Sequence, residues 1–401
     1  MIPVFILILN IYNLLKHRKN IYFFIMLLII LYFNYSICIG EYLFDGNQVS
    51  MFQYLKVSNR KNYYQEGIVI LFIFTLLYTL FLNNNIKIEN IKFQYKSNNF
   101  IFILLLIFLL YIFIFKFDRT SSESYEVKIS PMYEYSYIIF LFAIHYSNTK
   151  IKKVIVCIFV LVFILQDILY GGRITSLQLL LLVSITFFCN FLTIKKIIIF
   201  FFSGIFLLSL VGSYRAHYSL SDINLTYFIN IIKNKLFILD TATFAYGASI
   251  THLYSIQFTT FTERFISFIN FLLYIPFGDL FSMSDILIRD TITSINSFTR
   301  SYYFNYNGGL IISYFYFWLG WFGVFLAGLL VPKYILFFLK QKSELGFLIF
   351  ICIIVTVPRW YLYNPITLFR GPLFFLPLVF SGIYLIELLT IAIKKKNNNM
   401  K

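Results

Sequence analysis

The sequence predicts an all-α fold, a polytopic transmembrane helix bundle with one large extracytoplasmic loop. The 401-residue chain has 60% hydrophobic and only 12% charged side chains, with a mean hydropathy of +0.80. These values lie outside the usual composition of soluble domains. Apolar runs long enough for a span, which needs roughly 20 residues, alternate with short breaks that carry lysine. One break, residues 213–306, is much longer than the others.

We predict about eleven spans, within a range of about ten to twelve. In chain order they are Ile2 to Leu15, Ile21 to Ile39, Gly67 to Leu82, Phe100 to Phe117, Met132 to Tyr146, Val154 to Tyr170, Ile174 to Ile194, Ile197 to Leu210, Gly309 to Val331, Leu345 to Val357 and Pro372 to Ile393. The first run lacks the preceding basic residues of a signal peptide, so we count it as a span. The chain then divides into transmembrane helices at 1–212, the loop at 213–306 and transmembrane helices at 307–401.

The distribution of lysine predicts how the helix bundle is oriented in the membrane. Seventeen of the 23 lysines fall in alternate breaks, at Lys16, Lys19, Lys87, Lys92, Lys96, Lys150, Lys152, Lys153, Lys195, Lys196, Lys333, Lys340, Lys342, Lys394, Lys395, Lys396 and Lys401. By the positive-inside rule these breaks are cytoplasmic. The net charge of +16 is then mostly a lysine surplus that faces anionic lipid headgroups. We expect membrane lipids as partners and no nucleic acid.

The large loop is itself apolar enough to fold at the membrane surface. Thr226 to Leu239 and Thr262 to Phe281 each have the pattern of an amphipathic, interfacial helix. The second ends at Pro276 and Gly278, which favour a turn. We therefore predict a folded lid with interfacial helices.

Arginine follows the opposite distribution from lysine. Nine of the ten arginines fall in the predicted outer breaks, and only Arg18 falls inside. Because arginine is costly near hydrocarbon and holds phosphate through a planar fork, this bias indicates a polyanionic lipid ligand. Five stand at the ends of spans and are predicted to face one outward-opening cavity: Arg173, Arg215, Arg300, Arg359 and Arg370. The other four, Arg60, Arg119, Arg264 and Arg289, sit among carboxylates or polar loop residues and are assigned an ordinary role, either pairing with a neighbouring Asp or reaching a lipid headgroup.

These features together resemble the Wzy-type repeat-unit polymerases of bacterial O-antigens and capsules. The resemblance covers most of the chain as an architecture of spans with one large outer loop. Its motifs are Gly172-Arg173, Arg215 after Gly212, Asn307-Gly308-Gly309 leading through Trp318, Gly320 and Gly323 to Gly328, and Arg359 and Arg370 around the last hairpin. One spacing departs from the family, since no regularly placed glycine follows Arg215 or Arg300.

The resemblance implies a glycosyltransferase that needs no metal and no cofactor. It would transfer a growing glycan from undecaprenyl diphosphate to another lipid-linked repeat unit, outside the bacterial cytoplasmic (inner) membrane. The five arginines would bind the donor diphosphate and stabilise the charge that develops as it leaves. The implied partners are undecaprenyl-diphosphate-linked oligosaccharides and a chain-length regulator.

Attack by a sugar hydroxyl benefits from a general base. The imidazole and carboxylate candidates in the loop are His217, Asp222, Asp240, His252, Glu263, Asp279, Asp285 and Asp290. His252 and Asp240 are favoured, because both lie in a stretch rich in Thr, Ser and Gly, and His217 is next because it follows Arg215 closely.

Two other functions remain open at this point. An O-antigen ligase, or another glycosyltransferase with a lipid-linked donor, would use the same arginines. A flippase or transporter of the same carrier would be expected to show internal repeats and charges near the middle of the bilayer. Zinc, nucleotide and dinucleotide motifs are absent from the sequence, as is the Gly-x-Ser-x-Gly of serine hydrolases.

Overall fold

The computed structural model describes residues 1–43, 60–82, 93–117, 130–169, 174–188, 191, 193–204, 238–277 and 308–399. Within these residues the chain is helical and has no strand, so the predicted all-α class is confirmed. Contacts divide the chain into two compact units. The first unit comprises Met1–Ile88, Leu192–Lys340 and Thr356–Phe369, and the second comprises Glu89–Phe191, Gln341–Val355 and Arg370–Lys401. The described part of the 213–306 loop belongs to the first unit.

Sixteen α-helices are defined from end to end in the described residues. They are α1 Ile2–Lys16, α2 Ile21–Leu43, α3 Arg60–Leu82, α4 Asn99–Phe115, α5 Pro131–Glu134, α6 Ser136–His145, α7 Lys150–Leu169, α8 Ile174–Phe187, α9 Asp240–Ser255, α10 Phe261–Phe277, α11 Ile311–Leu319, α12 Trp321–Lys340, α13 Glu344–Val355, α14 Val357–Leu362, α15 Ile366–Arg370 and α16 Leu376–Asn399. A further helical stretch covers 194–204. A π-helical turn, Gly371–Phe375, joins α15 to α16.

Four described helices are long and apolar enough to cross a membrane: Ile21–Gly40, Asn62–Leu82, Trp321–Lys340 and Ile366–Thr390. Five shorter helices, α1, α4, α6, α8 and α13, are also apolar. Most predicted spans coincide with a described helix. The predicted span Ile197 to Leu210 is described only as far as residue 204, within the 194–204 helix.

Several predicted spans are interrupted in the structure, among them Ile174 to Ile194, in which α8 ends at Phe187. The run Gly309 to Val331 is not one helix, because Gly320 adopts φ 61° and ends α11 before α12 begins. The long apolar helix of this region is therefore α12, which extends past Val331 to Lys340. The run Met132 to Tyr146 is likewise divided, since Tyr135 separates α5 from α6.

In the first unit, α3 packs closely against α12 and α1. Gly328 of α12 lies beside Leu77 of α3, where any side chain on the glycine would meet the Leu77 Cβ at 2.6 Å. Asn13 of α1 donates to the Thr79 hydroxyl at 2.8 Å. Thr79 in turn donates to the Thr75 carbonyl at 2.7 Å. Small residues and hydrogen-bonded polar side chains of this kind hold apolar helices together in a membrane.

In the second unit, an aromatic core forms around Phe163 of α7. Tyr133 stacks on it at 5.4 Å and Phe140 meets it edge-on at 4.9 Å. The buried carboxylate of Asp167 accepts from the Ser176 backbone N–H at 3.1 Å and from its hydroxyl at 2.9 Å. Asp167 therefore fixes the start of α8 against the end of α7.

Candidate functional site

Helix α9 lies in the segment predicted as the large loop and belongs to the first unit. Its sequence, DTATFAYGASITHLYS, is rich in small residues, and nearly all of its side chains from Ala242 to Ser255 are buried. Tyr246 donates to the Tyr64 carbonyl of α3 at 2.6 Å. The backbone N–H of Leu239, just before α9, donates to the Ser36 hydroxyl of α2 at 3.0 Å. Small side chains thus allow α9 to pack directly on α2 and α3.

His252, the favoured base, lies near the end of α9 and is 0% exposed. Its Nδ1 lies 2.8 Å from the Ser313 hydroxyl, which donates to the Leu310 carbonyl, also at 2.8 Å. Both contacts are hydrogen bonds only if Nδ1 carries the proton and Nε2 carries the lone pair. Nε2 has no hydrogen-bond partner among the described residues. Burial lowers the pKa of His252 well below its ordinary value, so the imidazole is neutral near pH 7.

Gly309 makes the approach of the returning chain to His252 possible. Its φ of 151° favours glycine, and a Cβ at this position would overlap the Cε1 atom of His252. The same Cβ would lie 3.1 Å from the Tyr314 ring, which meets the imidazole edge-on at 4.6 Å. The Leu310 backbone N–H donates to the Ser249 hydroxyl of α9 at 2.8 Å. The segment after the loop is therefore held against α9 by several contacts.

The last hairpin joins the same region of the first unit. The Gly309 N–H donates to the Leu362 carbonyl at 3.0 Å, and Tyr314 donates to the Tyr363 carbonyl at 2.8 Å. Tyr361, which is buried, donates to the Asn34 side chain of α2 at 2.8 Å. Three features singled out in the sequence, His252, the Gly308-Gly309 return and the hairpin that carries Arg359, thus lie together.

Two of the five arginines predicted to bind diphosphate are described, one in each unit. Arg359 lies on α14 of the first unit and is half-buried. Arg370 opens the π-helical turn in the second unit, with its guanidinium 5.0 Å from the Phe375 ring. The adjacent Gly371 lies against the Tyr137 hydroxyl. Arg173, Arg215 and Arg300 lie outside the described residues.

Of the other base candidates, only Asp240 and Glu263 lie among the described residues. Asp240 opens α9, about 18 Å along the helix axis from His252 at 1.5 Å per residue. Glu263 accepts from the Thr260 N–H at 2.7 Å and from its hydroxyl at 3.0 Å, while its own N–H donates to Thr260 Oγ1 at 3.3 Å. These bonds form a capping box at the start of α10 and lower the pKa of Glu263. His217, Asp222, Asp279, Asp285 and Asp290 lie outside the described residues.

Helix α10 itself agrees with the predicted interfacial helix Thr262 to Phe281 over the residues that are described. Its inner face packs on α11, where Ser267 accepts from the Trp318 indole N–H at 3.0 Å and Phe271 lies 4.6 Å from the same ring. Its other face leaves Phe265, Ile266 and Leu272 exposed. The partner segment Thr226 to Leu239 is described only at its last two residues.

The sequence analysis missed one cluster in the first unit, formed by Glu66, Tyr316 and Arg264 and called here the Glu66 cluster. Tyr316 of α11 donates to Glu66 Oε1 of α3 at 2.7 Å. Arg264 of α10 interacts electrostatically with the same phenol, and its Nη1 donates to the Phe317 carbonyl at 3.4 Å. No salt bridge joins Glu66 or Arg264 to another described residue. Pairing with a carboxylate, one of the two ordinary roles considered for Arg264, is therefore not found among these residues.

No protein-family model, curated protein or solved structure matches this chain. Within the described residues, no group of three His, Cys, Asp or Glu side chains is placed to hold a metal ion. Among the described residues of the first unit, the chemical groups singled out are thus a neutral imidazole, a carboxylate bound to a phenol, and the guanidinium groups of Arg264 and Arg359. These groups can accept hydrogen bonds from hydroxyls and donate hydrogen bonds to oxygen atoms.

Proposed function

We propose that this protein polymerises undecaprenyl-diphosphate-linked oligosaccharide repeat units into O-antigen or capsular polysaccharide, at the outer face of the bacterial cytoplasmic membrane. The observation that carries the proposal is the separation of charge types along the chain. Nine of ten arginines fall in the predicted outer breaks, while 17 of 23 lysines fall in the predicted inner ones. The positive-inside rule accounts for the distribution of lysine but not for that of arginine, and an outer anionic ligand would explain the arginine bias. The proposal includes about eleven spans and one large outer loop.

In the proposed reaction, a hydroxyl of one lipid-linked repeat unit attacks the anomeric carbon of the donor glycan. The bond from that carbon to the diphosphate oxygen breaks, and the diphosphate leaves with the electron pair. Arg173, Arg215, Arg300, Arg359 and Arg370 bind the diphosphate and stabilise the charge it gains. Fixed donors aimed at developing charge contribute roughly 3 to 4 kcal/mol each in other enzymes.

The hydroxyl proton passes to a general base, for which His252, Asp240 and His217 are the proposed candidates. His252 is included because Nδ1 is engaged by Ser313 and Nε2 keeps a lone pair, but burial lowers its pKa and makes the imidazole a weaker base than a free histidine. His252 also has a structural role, because its contacts hold the Gly309 to Ser313 segment against α9.

Single arginine substitutions test the proposal. Each of the five arginines changed to Ala is expected to abolish or shorten the surface glycan at normal expression. Lysine substitutions are expected to restore it poorly, because lysine lacks the bidentate fork. A glycan gel from each variant shows the ladder. Arg18→Ala is the matched control, since Arg18 is exposed and the only arginine in a predicted inner break, and its ladder should be normal. Normal ladders from three or more of the five variants would refute the proposal.

The acceptor and the product distinguish the proposed polymerase from the two alternative functions. A polymerase lengthens lipid-linked repeats when these are the only substrate. A ligase needs a lipid A core as acceptor, and a transporter moves the repeats across the bilayer without lengthening them.

A further inference from the structure

We infer that the Glu66 cluster, with the aromatic rings around it, is a binding site for a saccharide. Its hydrogen-bonding centre is the carboxylate of Glu66, which is only partly buried. Oε1 is occupied by the Tyr316 phenol at 2.7 Å. Oε2 accepts no hydrogen bond from a described residue. An ionised carboxylate has acceptor positions on both oxygens, so Glu66 retains capacity for a ligand's hydroxyl groups.

Aromatic rings flank this carboxylate on more than one helix. Trp321 lies 5.3 Å from the Tyr316 ring and is 48% exposed. Tyr63, one turn before Glu66 on α3, meets Tyr254 edge-on at 5.6 Å. Tyr254 in turn lies 5.2 Å from Phe258, which is 55% exposed. A sugar ring has an edge of hydroxyls and faces of C–H groups, so a carboxylate beside exposed rings suits both parts.

The charges of the cluster distinguish a saccharide from a lipid headgroup. Exposed aromatics and one arginine alone would equally suit the phosphate of an anionic lipid at the membrane surface. Glu66 favours a saccharide over a lipid phosphate, because its negative charge repels a phosphate and attracts hydroxyl donors. Arg264 lies beside the phenol without an ion pair among the described residues, so its remaining N–H groups can donate to ring and hydroxyl oxygens.

The identity of the saccharide rests on the proposed function. If the protein polymerises repeat units, the Glu66 cluster holds the acceptor unit, whose hydroxyl must be positioned for attack. Glu66 and Tyr316 would then be positioning residues for that hydroxyl, whichever group removes its proton. The site would determine which repeat unit is accepted as substrate.

Binding of a lipid-free oligosaccharide tests the site directly. Full-length protein in lipid nanodiscs is titrated with repeat-unit oligosaccharide released from the host's own surface glycan. We expect Glu66→Gln to weaken binding about tenfold or more and Tyr316→Phe to weaken it by a smaller factor. Glu387→Gln is the matched control, because Glu387 accepts from Tyr146 at 2.8 Å in the second unit, and it should bind as the wild type does.

Three outcomes would overturn the inference. Glu66→Gln could bind within about twofold of the wild type, or Glu387→Gln could lose binding equally. Alternatively, the oligosaccharide could fail to bind while brominated phosphatidylglycerol quenches tryptophan fluorescence in the wild type and not in Trp321→Phe, which would assign the cluster to lipid headgroups.

Chain extension measured on the same samples separates the two proposals. If the wild type binds oligosaccharide without extending lipid-linked repeats, the polymerase proposal fails and the saccharide site stands. If the wild type extends repeats and Glu66→Gln both binds and extends normally, the saccharide site fails and the polymerase proposal stands.

Discussion

Two hydrogen bonds of the same kind lie in different settings in the two units. In the first unit Tyr316 donates to Glu66 at 2.7 Å, and in the second Tyr146 donates to Glu387 at 2.8 Å. Near the second pair, the carboxylate of Glu344 forms an ion pair with Lys96. Glu344, which interacts with Tyr146, contacts both Lys96 Nζ and His145 Nε2 at 2.7 Å.

Around the first pair the described charges have only neutral partners. Glu66 is bound by a phenol, and Arg264 is bound by backbone carbonyls and lies 5.9 Å from the Phe261 ring. Exposed aromatic side chains surround this pair, whereas Tyr146 and His145 are buried. The comparison suggests that paired charges in the second unit stabilise the fold, while the charges of the Glu66 cluster are kept for a ligand. Four substitutions test the packing and the charge assignments in the two units. They are given from the largest expected effect on stability to the smallest.

Gly309→Val is expected to be the most destabilising of these changes. The new side chain would overlap His252, and valine is strained at a φ of 151°. Overpacking and backbone strain of this kind cost about 3 kcal/mol or more together. Thermal unfolding and the yield of monodisperse protein measure the loss. Gly382→Ala is the control, since a Cβ there meets nothing within 4 Å, and equal stability of the two variants would contradict the assigned packing.

Glu344→Gln is expected to lower the free energy of unfolding by about 1 to 2 kcal/mol. The change removes the negative charge that both Lys96 and His145 contact, in a group whose side chain is 28% exposed. Partial exposure places the cost between that of surface and buried ion pairs. Chemical unfolding in detergent measures the change. Saccharide binding should be unaffected, and a variant that is fully stable would show that the network is not structural.

His252→Asn is expected to reduce the dependence of stability on pH. The pKa of His252 is lowered in the folded protein, so the unfolded chain takes up the proton first, below its pKa of about 6.5. The wild type should therefore lose stability as pH falls below 6.5, by up to about 1.4 kcal/mol per pH unit from this residue. The difference between wild type and His252→Asn, measured at pH 7.5 and 5.5, isolates this contribution. An unchanged difference at the two pH values would contradict it.

Glu66→Gln is expected to change stability least, by less than about 0.5 kcal/mol. The amide keeps an oxygen that accepts from Tyr316, and no salt bridge to a described residue is lost. Measured beside Glu344→Gln by the same unfolding assay, it completes the comparison of the two units. A loss as large as that of Glu344→Gln would place Glu66 among the structural charges.

Most helices could be predicted from the sequence, because apolar runs of span length leave few alternatives to a helix in a membrane. The break at Gly320 could not be located by this rule, since apolar residues continue on both sides of it. Only the backbone conformation of the glycine separates α11 from α12.

The site was predicted in part. His252 was singled out as a loop histidine, but its partner Ser313 lies 61 residues away in the sequence, and no local pattern links them. Arg264 was given an ordinary role because it sits among carboxylates and polar loop residues in the sequence. The adjacent Glu263 caps α10 with Thr260, and the Thr-x-x-Glu pattern that signals this was present in the sequence. Glu66 was overlooked because it directly precedes the predicted start of a span at Gly67.

The most direct test of the polymerase proposal is chain extension by the purified protein. Full-length protein in proteoliposomes receives undecaprenyl-diphosphate-linked repeat units as the only substrate, and the products are sized by mass spectrometry. The account predicts a ladder of lipid-linked glycans spaced by one repeat unit, which disappears in Arg359→Ala and Arg370→Ala. Repeat units that remain unextended by active, folded wild-type protein would contradict it.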